Sequence, residues 1–465
     1  MELTPFLQRD GSLPLYVQVY EYIKLEIEQG RLPEGTRLPS IRRLSEHLSV
    51  SKNTIEAAYQ QLVAEGYVGS KAKSGMHVLS QEELSTASQT APPVEEEREP
   101  STYAYDFQYG DLDLEHFPYR QWKQCLQKAL ETGGAEVLLY GNRQGDRGLR
   151  EEIAKHVLQA RGVSCLPEQV VICAGTQQAI TFLCQLLELA GQPVAMEDPG
   201  YDGVRTVLLQ QGCLLQPVAI EDDGISMAEL SQSAAKAVYI TPSHQFPCGA
   251  VLPIQKRMKL LQWAYNTNSF IVEDDYDSEF RYQGQPIPAL KALDTGERVI
   301  YLGTFSKSFL PAARVSYVIL PPILLTRYKK HFQNQSQSAS PLIQRALYLF
   351  MKEGSFSRHV RRMRKLYQAK HRALLTAIEA YMGERVRVIG QRAGLHLLLE
   401  VAGGQSGELV RRAETAGVKV YEPKKYWADP DACPPGLVIL GFGGLREEDI
   451  TEGIRILAEA WACVK

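Results

Sequence analysis

The chain has 465 residues, 44% hydrophobic and 23% charged, with a net charge of −3. That length exceeds one compact core, so two or three domains are expected, and the near-neutral balance excludes a globally basic nucleic-acid binder. No apolar run reaches the ~18 residues of a membrane span. The opening Met1-Glu2-Leu3-Thr4-Pro5 has neither a basic start nor an apolar stretch, so no export signal is expected. Eight scattered cysteines form no Cys-x-x-Cys pair, which argues against a zinc site or a disulfide framework and for a cytosolic protein. The nine histidines show no His-Glu-x-x-His pattern, so no metal is expected.

In chain order, Leu15, Val19, Ile23 and Ile27 recur every four residues as a helix stripe, which Gly30 and Pro33 end. Ser40 is suited to cap a second helix with Ile41, Leu44 and Leu48 inward. After a short turn Ser51 caps a third, whose core face is predicted to carry Ile55, Ala58, Tyr59, Leu62 and Val63. Tyr67-Val68 and Met76-His77-Val78 then flank a Gly/Lys/Ser tip, the pattern of a two-stranded wing. Three helices, a tight turn and a hairpin describe a winged helix-turn-helix, with the third helix entering a major groove of double-stranded DNA. Between Arg37 and Leu79 six cations face three carboxylates, a local positive surplus suited to phosphates.

The runs Leu38-Pro39-Ser40-x-Arg42-x-Leu44, Val50-Ser51-Lys52-Asn53-Thr54 and Leu62-x-x-Glu65-Gly66-Tyr67 make residues 1–80 resemble the DNA-binding domain of the GntR family of bacterial regulators. The resemblance implies DNA contacts from Arg42, from Lys52, Asn53 and Thr54 opening the third helix, and from the wing tip at Ser74 and Gly75. Most members carry arginine where this chain has Lys52. Lysine lacks the bidentate fork that reads guanine, so different base readout is expected there. Arg42 and its neighbour Arg43 are suited to backbone phosphates.

Residues 81–102 are poor in apolar side chains and carry Pro92-Pro93 and Glu95-Glu96-Glu97, the composition of a flexible acidic linker. From Tyr103 onward short apolar strands alternate with helices, which argues for a largely parallel sheet binding ligands at its carboxyl edge. Gly175-Thr176-Gln177 sits at a strand-to-helix turn whose N–H groups suit a phosphate. Glu273-Asp274-Asp275-Tyr276 ends another strand. With period two, Asp274 and Tyr276 share a face, leaving Asp275 as the second choice of carboxylate. Arg298 to Leu302 reads as a buried strand followed by Gly303-Thr304-Phe305-Ser306-Lys307-Ser308-Phe309, with Arg314 beyond. A lysine so placed is better explained as a reactive amine, able to form a Schiff base, than as a solvated charge. Thr304, Ser306 and Arg314 suit a phosphate, and pyridoxal 5'-phosphate (PLP) combines an aldehyde with a phosphate. A carboxylate at Asp274 would keep the PLP ring nitrogen protonated. Tyr276 would bond its phenolic oxygen, Tyr201 would stack on the ring, and Tyr140 would reach the phosphate of a second subunit.

The order of these motifs makes residues 103–465 resemble a fold-type I aminotransferase, with a large mostly parallel sheet domain and a smaller α+β C-terminal domain. The resemblance implies that Lys307 is the Schiff-base lysine, Asp274 the partner of the ring nitrogen and Arg314 a phosphate ligand. A GntR-type helix-turn-helix joined to such a body resembles the MocR subfamily of PLP-dependent regulators, and the wording His244-Gln245-Phe246-Pro247 is the regulator-like form. Aminotransferases carry an asparagine where Phe246 stands. They also carry a late-strand arginine for the substrate carboxylate, and its place here is Ile439, with Arg446 and Arg392 as candidate stand-ins. These resemblances imply a homodimeric cytoplasmic regulator that binds repeated operator half-sites and senses PLP or a small amino compound rather than turning over. The competing reading is an active aminotransferase with an accessory DNA-binding domain.

Overall fold

The computed structural model describes residues 3, 7, 13–71, 75–80, 103–282, 287–332 and 335–462. The chain divides into two units, Met1–Pro100 and Ser101–Lys465. The expected linker 81–102 and the wing-tip Ser74 lie outside the described residues.

In the first unit the helices are α1 (Leu15–Glu28), α2 (Ile41–Leu48) and α3 (Lys52–Ala64), followed by the antiparallel pair β1 (Val68–Lys71) and β2 (Gly75–Val78). The caps form as the sequence suggests. Ser40 Oγ accepts from Arg43 N–H, and Ser51 Oγ accepts from Thr54 N–H, satisfying donors that a helix start otherwise leaves unpaired. Val19, Ile23, Ile27, Leu44, Ile55, Ala58, Tyr59 and Leu62 form one core, closed by Val68 and Val78. Val63 is a correction: it is 41% exposed rather than part of the core face. At 100° per residue it lies one step past Leu62, on the flank of the stripe.

In the second unit the described strands are β3 (Tyr105–Asp106), β4 (Val170–Cys173), β5 (Pro193–Asp198), β6 (Leu214–Glu221), β7 (Gly224–Ile225), β8 (Ala237–Ile240), β9 (Phe270–Asp275), β10 (Val299–Thr304), β11 (Ser316–Ile319), β12 (Val386–Ile389), β13 (His396–Val401), β14 (Val418–Lys419) and β15 (Leu437–Gly441). Eight of them form one sheet in the order β4-β11-β10-β9-β8-β5-β6-β7. It is parallel from β10 through β6, while β11 runs antiparallel to both β4 and β10. The strand predicted to end at Leu302 continues through Gly303 and Thr304. Gly303 keeps the strand regular because a Cβ there would sit 2.3 Å from the Tyr317 ring.

Alternation along β10 builds the two sides of the sheet. Ile300 and Leu302 pack with Val171, Cys173 and Val318, whereas Tyr301 packs with Val170, Ile172, Tyr317 and Ile319. A second core joins β13 and β15 to the helices Ser355–Tyr381 and Glu447–Ala460 through Leu397, Leu399, Val438, Leu440, Tyr367, Leu374, Ile450 and Ile454. One buried ion pair fixes the entry segment to this core. Lys370 Nζ donates to Asp113 Oδ2 at 2.7 Å and to Gly443 O at 2.9 Å. That segment carries Tyr109, four residues earlier, towards the site described below.

Asp113→Ala removes the carboxylate and leaves Lys370 buried with one carbonyl partner. The expected loss is about 3 kcal/mol, the usual scale for breaking a buried pair, read as a lower urea midpoint of the second unit with an unchanged slope.

Candidate functional site

Five of the strands whose carboxyl ends share one edge of the large sheet carry the site. β5, β8, β9 and β10 are parallel, and β4 points the same way because β11 reverses direction between it and β10. Beyond β4 lie Gly175, Thr176 and Gln177; beyond β5, Tyr201; beyond β8, Thr241. β9 carries Asp274 and leads to Tyr276, and β10 ends on Thr304, just before Ser306 and Lys307. All of these except Gly175 line one cavity of about 180 Å³, together with Tyr109, Tyr239, Phe246, Pro311 and Arg314.

Lys307 lies over the Tyr109 ring, with Nζ 4.2 Å from the ring centre. Burial lowers its amine to about 8, against the opposing pull of the Asp277 and Asp111 carboxylates. Asp274 is 3% exposed. Its Oδ2 accepts from the Tyr239 hydroxyl at 2.5 Å, while its Oδ1 has no partner among the described residues. Burial raises this carboxyl to about 7; the Tyr239 bond opposes the rise and the nearby Asp275 and Asp277 add to it. Asp275 points away from the cavity, as period two requires, and accepts from Arg161 Nε at 2.6 Å and from the Tyr301 hydroxyl at 2.5 Å.

At the opposite end Gly175 precedes the helix Thr176–Leu187. Its φ of +96° favours glycine, and a Cβ would meet the Arg314 guanidinium at 2.5 Å. Arg314 Nη2 donates to Ala174 O at 3.1 Å, so the guanidinium is held beside the helix N-terminus. Thr304 Oγ1 bonds Ser306 Oγ at 3.1 Å and accepts from Ser316 Oγ at 2.9 Å. An anion here meets helix N–H groups, hydroxyls and one guanidinium together.

Other candidates fall elsewhere. Tyr140 is 85% exposed and outside the cavity of its own chain. Ile439 is 1% exposed in β15, packed with Phe246, Leu398 and Tyr426. Arg446 is exposed and bonded to Glu115, and Arg392 is exposed; neither lines the cavity. Lys307 and Arg314 are its two cations among the described residues. Sequence reasoning passed over Tyr109 and Tyr239. Tyr239 carried a usable signal, since a polar tip in the buried strand Ala237–Ile240 needs a partner.

His244, Asp277 and His396 form a buried cluster beside Tyr276, with one ligand atom from each within 4.8 Å of the others. His244 Nδ1 is already shared with Asp277 and Tyr276, and His396 Nε2 with Pro247 O.

On the first unit, Arg42, Arg43, Lys52 and Asn53 are exposed, Thr54 is half-buried by its contact with Ser51, and Gly75 is exposed at the start of β2. Arg42 Nε bonds Glu46 at 3.0 Å, an exposed i,i+4 pair that costs little to exchange for a phosphate.

Comparison with known proteins assigns both units. Residues 15–78 match the family "Bacterial regulatory proteins, gntR family", and residues 105–425 match "Aminotransferase class I and II". The chain is 41% identical to the uncharacterized HTH-type transcriptional regulator YdeL of Bacillus subtilis (strain 168), covering 99% of this chain and 100% of YdeL. It is 32% identical to the probable rhizopine catabolism regulatory protein MocR of Rhizobium meliloti, covering 99% and 96%. Among solved structures, the Pyrococcus horikoshii kynurenine aminotransferase in complex with PMP aligns with a TM-score of 0.71 at 26% identity, over 77% of this chain and 91% of that one.

The lowered amine of Lys307 is directly measurable. In the cofactor-free protein its acylation rate, followed on the peptide containing residue 307, is expected to rise as pH climbs through about 8. Exposed lysines keep rising to about 10.4, the ordinary lysine value.

Proposed function

From a chain that belongs to the MocR type, a GntR-family helix-turn-helix regulator fused to an aminotransferase class I and II body, we propose a transcription regulator whose body holds PLP on Lys307 and senses the cofactor or a small amino compound. The observation that carries this reading is Asp274 Oδ1, a buried acceptor without a partner among the described residues, in the same cavity as the lowered amine of Lys307. PLP supplies an aldehyde that condenses with amines and a protonated ring that withdraws electrons.

The residues present fit that group. Asp274, braced by Tyr239, would hold the ring nitrogen. Thr176, Gln177, Thr304, Ser306 and Arg314 would hold the phosphate, with Gly175 leaving space for the guanidinium. Tyr201 would stack on the ring and Tyr276 would bond the phenolic oxygen. Cavity burial keeps Lys307 partly unprotonated near neutral pH, as a nucleophilic amine must be.

The assembly is a homodimer. Leu138, Leu139 and Tyr140 are 73%, 65% and 85% exposed in succession, an apolar run that a second copy would cover and that would carry Tyr140 to the partner's phosphate. Two first units then read repeated half-sites, with Lys52, Asn53 and Thr54 at base edges and Arg42, Arg43, Ser74 and Gly75 along the backbone. No described helix is long and apolar enough to cross a membrane, and the operator places the protein in the bacterial cytoplasm.

Transamination is the competing reading, favoured by the kynurenine aminotransferase likeness. Against it stands Ile439, buried where a carboxylate-binding arginine is needed.

The test is footprinting of the full chain on the DNA upstream of its own gene, with PLP and a panel of amines. Protection of repeated half-sites is expected to change with PLP or one amine in the wild type and to ignore both in Lys307→Ala. Lys52→Ala is expected to weaken protection by about 1 kcal/mol, the low end for a base contact, since lysine lacks the bidentate fork. Protection by Lys307→Ala that changes with each ligand as the wild type's does would sink the sensing role.

A further inference from the structure

The cluster behind Tyr276 is used by nothing above. His244 and Asp277 are each 2% exposed. His244 Nδ1 lies 2.9 Å from Asp277 Oδ2 and 3.0 Å from the Tyr276 hydroxyl. A carboxylate at neutral pH accepts and does not donate, so the proton between this pair belongs to Nδ1. The Tyr276 oxygen therefore meets an N–H and acts as acceptor on that side. Its own proton must leave in another direction, and the open direction is the cavity that Tyr276 lines. The adjoining wall residue Phe246 offers no donor.

The cluster is tightly fitted. A Cβ on Gly394 would stand 2.2 Å from His244 Cε1 and 2.6 Å from Asp277 Oδ2. His396 Nε2 faces the Pro247 carbonyl at 3.1 Å, so it too carries its proton on a known nitrogen. The other ionisable groups acting on Tyr276 are Asp274, Tyr109 and Tyr239, with the His396 ring tilted against His244, centres 5.3 Å apart, and Lys307 lining the same cavity.

We propose that Asp277 and His244 are positioning residues that fix the direction of the Tyr276 hydroxyl, aiming its proton into the cavity as the donor to the cofactor's phenolic oxygen. This rests on the cofactor assignment above. A donor at that oxygen makes it less basic, so the lysine-bound chromophore loses its proton at lower pH. If Asp277 is neutralised, His244 is free to carry its proton on Nε2. Nδ1 then accepts from Tyr276 and draws the hydroxyl away.

The sign of the effect separates this device from simple charge. As a bare negative charge, Asp277 favours protonated forms nearby, so removing it would lower the titration midpoint. As the anchor of His244, its removal raises the midpoint. The experiment is a pH titration of the visible absorption band of the PLP-loaded full chain, with released PLP quantified in parallel. Asp277→Asn is expected to load PLP as the wild type does and to shift the midpoint up by about one unit, a tenfold change in proton affinity. Tyr276→Phe is expected to shift it at least as far, and Asp277→Asn to raise it no further in that background. Gly394→Ala, which displaces the pair while leaving every charge in place, is expected to raise it also, and carries the test if Asp277→Asn does not fold. A loaded protein whose midpoint falls or stays fixed in these positioning variants overturns the proposal alone. A wild type with neither chromophore nor releasable PLP overturns the cofactor assignment and this proposal with it.

Discussion

A carboxylate sealed under a cavity without a cation in contact is costly, and the second unit is arranged around that cost. Asp274 sits within a parallel strand, bonded to Tyr239 and with one oxygen unsatisfied among the described residues. Burial alone would neutralise such a group, and its raised carboxyl shows the pressure. Neighbouring charges are kept from adding much to it. Asp275, next in sequence, is turned to the other side of the sheet and bound to Arg161. Glu273 is buried there as well and accepts from the backbone N–H groups of Leu290 and Lys291. Three consecutive acids are thus tolerated because strand alternation gives each its own surroundings. Of the three, Asp274 is the one facing the ligand space.

That alternation is also why much of the site could be read from sequence. Asp274 and Tyr276 on one face, a glycine before a helix and a lysine after a buried strand are local patterns, and local patterns survive in one dimension. The caps at Ser40 and Ser51 were legible for the same reason. Contacts between distant segments were not. Tyr109 reaches Lys307 from an entry segment whose placement depends on Lys370, over 250 residues later. The Asp277–His244–Tyr276 cluster joins two loops, and its fit depends on a glycine in a third. Even Val63 shows the limit. The helix period puts it near the core, but the packing of α1 against α3 decides which flank is covered.

The two units obey opposite electrostatic rules. The first presents Arg42, Arg43 and Lys52 to solvent, where water supports charge and phosphate contacts depend on salt. The second spends its polar groups inside, where each must be matched or pay in proton affinity. Lys307 and Arg314 are the cavity's two cations among the described residues, and both are assigned to the cofactor. An amine whose recognition depends on its carboxylate has no third cation to meet there, and Ile439 fills the neighbouring late strand with apolar bulk. A ligand selected by such walls is selected for its amine and its apolar part.

Coupling between cavity and operator is limited by how differently a ligand binds the two arrangements of the chain. Reversing a 1:99 preference takes about 5.5 kcal/mol of that difference. Shape alone, in a cavity of about 180 Å³, offers few contacts with which to reach it. Charge offers more. While Lys307 holds the cofactor, its amine is committed. In the proposed regulator, a competing amine that took the lysine's place would return Lys307 as a free amine beside Asp111, Asp277 and the Tyr109 ring. A cation released inside a low-dielectric cavity interacts strongly with those fixed groups. Tyr109 and Asp111 belong to the segment that follows the linker. If the proposed sensing holds, the displaced lysine would act on the part of the body nearest in sequence to the DNA-binding unit.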